Sequence, residues 1–175
     1  ETDTRVTHCP GSNLKLASGI ADITRYGKEG ISVSLGADGA ACNNNLDMFQ
    51  EMKLAGLLQK YLHGPAALPA RDIFRMATIE GARALHCGAE SGSIERGKRA
   101  DLVLFDPRRL AQWPCQDVYS VLVYAAGRES VRHVLVDGEI LVSNGELVGQ
   151  DEEEILKKSQ EALLKLIPRA EKYGF

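Results

Sequence analysis

The most constraining stretch of this 175-residue chain is Ile31-Ser32-Val33-Ser34-Leu35, which runs straight into Gly36-Ala37-Asp38-Gly39. It alternates apolar and polar residues, but its β-branched content and its position also suit a buried strand. Asp-Gly signals a hairpin only when a second strand follows at once. Here the continuation is Ala40-Ala41-Cys42-Asn43-Asn44-Asn45, which is not a strand. The predicted strand therefore stands between helical segments, and the first half of the chain reads as α/β.

The remaining punctuation supports that order. Arg5 to His8 is a short extended stretch, and Cys9-Pro10-Gly11-Ser12-Asn13 reads as a loop. A helix is predicted over about Ala21 to Lys28 and a longer one over about Asp47 to His63. In the latter, Met48, Phe49, Met52, Ala55, Leu57, Leu58 and Tyr61 fall near helical spacing, and Gly64-Pro65 stops it. Two short helices follow, one opening near Pro69, the other capped by Thr78 and closed by Gly88. Beyond a loop punctuated by Gly92 and Gly97 the pattern turns to strands. These are Leu102 to Phe105, Val131 to Val136 and Ile140 to Ser143, the last two joined by Asp137-Gly138 as a tight hairpin. Asn144-Gly145 offers a second turn. A terminal helix is opened by a capping box of Asp151 with Glu154, its apolar face formed by Ile155, Leu156, Ser159, Ala162, Leu163, Leu166 and Ile167. The boundary between the α/β half and the β-rich half is expected near Gly88 to Arg99.

Composition narrows the partners. Hydrophobic residues make up 44% and charged residues 26%, which excludes disorder, collagen and coiled coil as descriptions of the whole chain. Lys and Arg total 21 against 24 Asp and Glu, for a net charge of -3, so neither an excess nor a patch of basic residues points to nucleic acid. No apolar run is long enough for a membrane span. Cys9, Cys42, Cys87 and Cys115 share no CxxC spacing and read as free, mostly buried thiols, which fits a cytoplasmic setting.

The sharpest candidate for chemistry is Asp38, just past the C-terminal end of a predicted buried strand. In α/β folds ligands bind at the carboxyl ends of parallel strands. A carboxylate there can ligate a divalent metal and exchange a proton with activated water; the plainer alternative is that Asp38-Gly39 is only a turn. His8, also at a strand end, can bind substrate, ligate a metal or serve as a hydrogen-bonded structural histidine. His63, His86 and His133 read as surface or helix-end residues. There is no HxH, HExxH, phosphate-binding GxxxxGK run or GxSxG elbow. A lone Asp cannot hold a catalytic zinc, which typically has three protein ligands. The run Asn43-Asn44-Asn45 can line a pocket or precede the helix cap at Asp47.

Three segments, in order, resemble signatures of the amidohydrolase superfamily: His8 through Ile20; Leu35 through Gly39 with Asn43 through Met52; and Gly92 through Asp106, followed by the hairpin Val136 to Glu139. The resemblance runs nearly end to end. Its branch is the aminohydrolases: S-adenosylhomocysteine/methylthioadenosine deaminases, guanine deaminases and triazine hydrolases.

The resemblance implies the C-terminal part of a metal-dependent (β/α)8 barrel, over residues 1–90. Part of a small β-sandwich would follow over 91–150, and a terminal helix over 151–175. The first residues would form barrel strand seven, and Ile31 to Leu35 strand eight. Asp38 would be both metal ligand and catalytic proton carrier, and His8 would face the substrate. The implied reaction is deamination of an adenosine-type or other aromatic heterocycle by metal-activated water. Guanine-type deamination, triazine dechlorination and a catalytically inactive fragment or assembly module remain as alternatives. The implied cofactor is a divalent metal, zinc or iron, whose other ligands are not in this chain. The family's HxH, its further His ligands and its catalytic Glu belong to upstream strands, and a whole barrel runs to about 250 residues. The expectation is thus of a chain that begins within a larger protein and is inactive alone. A two-strand remnant of a barrel exposes a parallel edge and an apolar face. It is expected to associate with copies of itself, as a homo-oligomer, or with the missing N-terminal part of the same protein.

Overall fold

A computed structural model of the chain describes residues 4–174; Glu1, Thr2 and Asp3 lie outside the described residues, as does Phe175 at the end of the predicted helical segment. Strands β1 (Val6–His8) and β2 (Val33–Leu35) pair in parallel, with Val6 opposite Val33, Thr7 opposite Ser34 and His8 opposite Leu35. A parallel pair needs a long crossover. Here it carries α1 (Pro10–Lys15) and α2 (Ile23–Lys28). All three residues of β2 are buried, as the reading of a buried strand requires.

The first departure from the sequence reading is α1, where a loop was expected. Pro10 opens the helix at a position whose amide needs no partner, so proline starts the turn rather than breaking it. Gly11 is there for clearance: a Cβ would lie 2.4 Å from Glu51 Oε1. In α2 the Asp22 side chain accepts from the Arg25 amide, which sets the start one residue past the cap.

Helix α3 (Met48–His63) is capped by Asp47, whose side chain accepts from the Phe49 amide, and ends at Gly64 with φ 92°. Helices α4 (Ala70–Met76) and α5 (Ile79–Ala84) follow. Thr78 stands at the start of α5 but caps nothing, because its hydroxyl donates to the Phe74 carbonyl at 2.8 Å. The chain leaves α5 after Ala84 through a left-handed His86, at φ 60°, ahead of the expected stop at Gly88. Ile23, Val33, Leu35, Met52, Ala55, Ile73, Met76 and Val123 form the core between β2 and these helices.

The second half contains β3 (Leu102–Phe105), β4 (Val131–Val136), β5 (Glu139–Ser143) and β6 (Glu146–Leu147), joined in that order as an antiparallel sheet. Asp137 and Gly138 take φ of 50° and 85°, the left-handed pair that a tight hairpin needs. Asn144 and Gly145 repeat the device at 54° and 88° and lead into β6. Between β3 and β4, α6 (Val118–Ser120) runs into a widened turn over Val121–Ala125, which sends Val123 into the core beside α3 and α4. That segment lacks a readable period.

Helix α7 (Glu152–Glu171) closes the chain. Asp151 accepts from the Glu153 and Glu154 amides, but the Glu154 carboxylate turns to Lys158 at 2.7 Å, so only the cap half of the expected box forms. Its apolar stripe faces solvent, with Leu156 70% and Leu166 55% exposed. Among the described residues no helix is long and apolar enough to cross a membrane.

Candidate active site

The parallel pairing brings the two residues singled out from sequence to the same end of the sheet. His8 is the last residue of β1, and its carbonyl accepts from the Gly36 amide at 3.0 Å, just beyond β2. Asp38 follows on the loop leaving β2. Both therefore sit at the carboxyl ends of parallel strands, where α/β folds bind ligands.

Asp38 takes φ 63°, a left-handed conformation uncommon outside glycine, and its side chain is exposed. Its carboxylate is held from several sides. Oδ2 accepts from Ser12 Oγ at 2.6 Å and Oδ1 from the Gly39 amide at 2.7 Å. The Ser12 bond first, then the Gly39 amide, draws the Asp38 pKa below the ordinary carboxylate value, so it is a fixed, ionised acceptor. The nearby Cys9 thiol is pushed the other way, chiefly by burial and then by the Asp38 charge.

His8 differs in kind. It is 3% exposed, and its Nε2 is buried without a hydrogen-bond partner. Burial lowers its pKa, so the ring is neutral at pH 7.

Two residues that matter to this geometry were passed over in the sequence. Ser12, 3% exposed, supplies the bond to Asp38. Glu51, on α3, is fully buried; Oε2 accepts from the Gly11 amide at 2.8 Å and Oε1 from Asn43 Nδ2 at 2.7 Å. A signal for Glu51 was present: it lies on the same helical face as Met48 and Ala55, and carboxylates are seldom fully buried without partners. Asn43 therefore serves the buried Glu51, and it also lines a shallow depression of about 340 Å³ with Asn44, Asn45, Lys15 and Gln50.

Whether these side chains suit a metal is a matter of donor count. Among the described residues no three His, Cys, Asp or Glu side chains cluster closely enough to hold an ion. An exposed carboxylate at a strand end fits the part of one ligand, and a catalytic zinc takes about three from protein. His63, which pairs with Asp22 at 2.8 Å, has no part in this arrangement.

With that geometry in place, likeness to known proteins assigns the class. The chain belongs to the amidohydrolase family, whose model matches residues 1–141. Among curated relatives, the 5'-deoxyadenosine deaminase of Methanosarcina acetivorans is 44% identical over 171 residues, covering 97% of this chain and 39% of that protein. The 5-methylthioadenosine/S-adenosylhomocysteine deaminase of Moorella thermoacetica is 48% identical over 151 residues, covering 86% and 35%. Among solved structures, an adenosine deaminase from Xanthomonas campestris with bound zinc superposes with a TM-score of 0.87 at 41% identity, over 90% of this chain and 36% of that one. Atrazine chlorohydrolase from Arthrobacter aurescens TC1, complexed with zinc, gives 0.79 at 27% identity over 90% and 35%. E. coli guanine deaminase gives 0.72 at 25% identity over 81% and 34%. The chain thus spans less than two fifths of the length of the relatives it matches. Its mixed strand and helix fold is that of part of these enzymes.

Proposed function

We propose that this chain is the C-terminal portion of a metal-dependent aminohydrolase that hydrolyses a C–N bond on an adenosine-type ring. Residues 1–90 would supply the last strands and helices of its barrel, 91–150 part of a β-sandwich and 151–175 a terminal helix. The observation that carries the reading is Asp38, an exposed carboxylate at the end of a buried parallel strand, pinned by Ser12 and Gly39 in a chain of this family.

In this reading water adds to the ring carbon that bears the amino group, the C–N bond breaks and ammonia leaves. Asp38 takes a proton from the attacking water and returns one to the departing nitrogen. Its bonds to Ser12 and the Gly39 amide keep it ionised and fix where its free lone pairs point. Neutral His8, with Nε2 unpartnered, is available to bind a polar atom of the heterocycle. A bound divalent metal, zinc in this reading with iron as the alternative, supplies the Lewis acidity that makes water a nucleophile at neutral pH. Among the described residues, Asp38 would be the ligand for it, with the others supplied from outside this segment. The four cysteines are free, as suits a cytoplasmic protein.

The 175-residue chain alone should release no ammonia from adenosine-type or guanine substrates with added zinc. A chimera tests the rest: the 171 residues that align replace the matching segment of the Methanosarcina acetivorans deaminase. It should release ammonia from 5'-deoxyadenosine, and Asp38→Asn should lower kcat by about 1,000-fold or more, in line with loss of a proton-transfer and metal-binding group. Full activity in that variant would sink the role given to Asp38. Turnover of guanine or a chlorotriazine in place of the adenosine would move the substrate to those branches.

A further inference from the structure

We propose that Glu51 is a positioning residue for Asp38, acting at a distance through helix α1; the proposal rests on reading Asp38 as the reacting carboxylate. Glu51 touches neither Asp38 nor the open side of the site. It is fully buried, and its two oxygens are spent on the Gly11 amide and on Asn43 Nδ2. Gly11 and Asn43 belong to the two segments that meet at the site, and they lie side by side, a Cβ on Gly11 falling 3.0 Å from Asn43 Nδ2. The residue after Gly11 is Ser12, whose hydroxyl holds Asp38 Oδ2 at 2.6 Å, and Asn43 belongs to the loop that carries Asp38 and Cys42. One carboxylate on the long helix α3 therefore ties the two pieces that must meet for the Ser12–Asp38 bond to form.

Two further observations fit a clamp rather than mere filling. Helix α1 has six residues, too few to stand alone, so its place must be set by contacts. Its far end is fixed to the same loop, where Lys15 Nζ donates to the Ala41 carbonyl at 2.8 Å and to Asn44 Oδ1 at 2.5 Å. The fit at Gly11 is also tight. A Cβ would meet Glu51 Oε1 at 2.4 Å and Asn43 Nδ2 at 3.0 Å, so α1 lies against the carboxylate with no room to drift. A buried carboxylate with only neutral donors is a costly way to fill space. A glutamine there would have to turn an N–H donor toward one of the two N–H groups that Glu51 now satisfies.

The test separates this proposal from the activity it serves. The 175-residue chain is labelled with 13C at aspartate carboxyl carbons, and the Asp38 resonance is identified by its loss in Asp38→Asn. Ser12→Ala should move that resonance. Glu51→Gln should move it the same way with the circular dichroism of the fold retained, and the double variant should move it no further than Ser12→Ala alone. A stationary resonance in folded Glu51→Gln overturns the proposal. Where Glu51→Gln does not fold, Asn43→Ala removes one of the two donors to Glu51 and is read by the same two outcomes. In the chimera, Glu51→Gln should lower kcat about 10- to 100-fold with KM unchanged, and Ser12→Thr, which keeps the hydroxyl, should recover most of what Ser12→Ala loses. A rise in KM at unchanged kcat contradicts positioning of the reacting carboxylate. If the resonance moves as expected while the chimera turns over nothing, the clamp stands and the proposed activity falls.

Discussion

His8 links sequence, burial and pH at the scale of one residue. Its ring is 3% exposed and burial lowers its pKa below the ordinary 6.5. The unfolded chain binds a proton near pH 6.5, whereas the folded chain binds it only at lower pH. The neutral form therefore favours the fold fully above that pH, and this advantage is lost progressively below it. The midpoint of urea unfolding should fall between pH 7.5 and 5.5, and His8→Gln should flatten that slope. An unchanged slope in His8→Gln would show that the ring is not desolvated as the structure has it. His8 and Asp38 could be picked out in the sequence because the first ends a β-rich run and the second stands just past one, in a Gly-containing turn. Ser12 could not, because its meaning lies in a contact across 26 residues of chain, and Glu51 left only the trace of a carboxylate on the apolar face of its helix, its partner Gly11 lying 40 residues away.

At the scale of elements, strands were easier to read than what joins them. Leu102–Phe105 and Val131–Val136 have the predicted bounds because Pro107 and the Asp137-Gly138 turn punctuate them sharply. Helix α1 was missed because Pro and Gly, read locally, signal a loop; only packing against Glu51 shows why they suit a helix. The end of β3 shows how a charge pins an element. The Asp106 amide donates to the Ser130 carbonyl at 2.9 Å, and its carboxylate accepts from the Arg108 amide and Nε, both at 3.0 Å, with Arg132 of β4 at 3.5 Å. The Arg108 guanidinium and amide together hold its pKa at about 2, against 3.8 for a free aspartate. With a depressed folded pKa, the stabilisation is complete above about pH 4 and disappears as pH falls through about 2. Asp106→Asn should therefore lower the urea midpoint at pH 7, and the gap to the parent chain should close as the pH approaches 2. A gap of constant size would assign the effect to shape or packing rather than to charge.

The whole molecule has too much surface for its mass. A folded monomer of 19.1 kDa is expected to expose about 8,400 Å², yet this chain exposes 12048 Å², an excess of about 3,600 Å². The excess is far more than the roughly 800 Å² that each partner gives to an ordinary specific interface, and above the roughly 1,000–2,500 Å² that each gives to a typical obligate one. It is apolar in character: Tyr61 is 83% exposed, Leu85 78%, Ile94 89% and Leu110 fully so, beside the open stripe of α7. The pairing of β1 with β2 adds to it, because a two-stranded parallel sheet leaves an unpaired edge on each side, and parallel sheets are almost always covered. The surface thus calls for a cover of protein, either further copies of this chain or the upstream part that the proposed function requires. The two covers predict opposite outcomes for one pair of samples. Light scattering on the 175-residue chain should give a mass well above 19.1 kDa, and the chain should bind a hydrophobic dye such as anilinonaphthalene sulfonate. In the chimera, where the deaminase supplies the upstream residues, the dye signal should drop sharply per mole of protein. A monodisperse 19.1-kDa chain that leaves the dye dark would mean that this surface is stable in water and needs no cover. Equal dye binding by both samples would show instead that the upstream residues do not lie on it, and that self-association is what buries it.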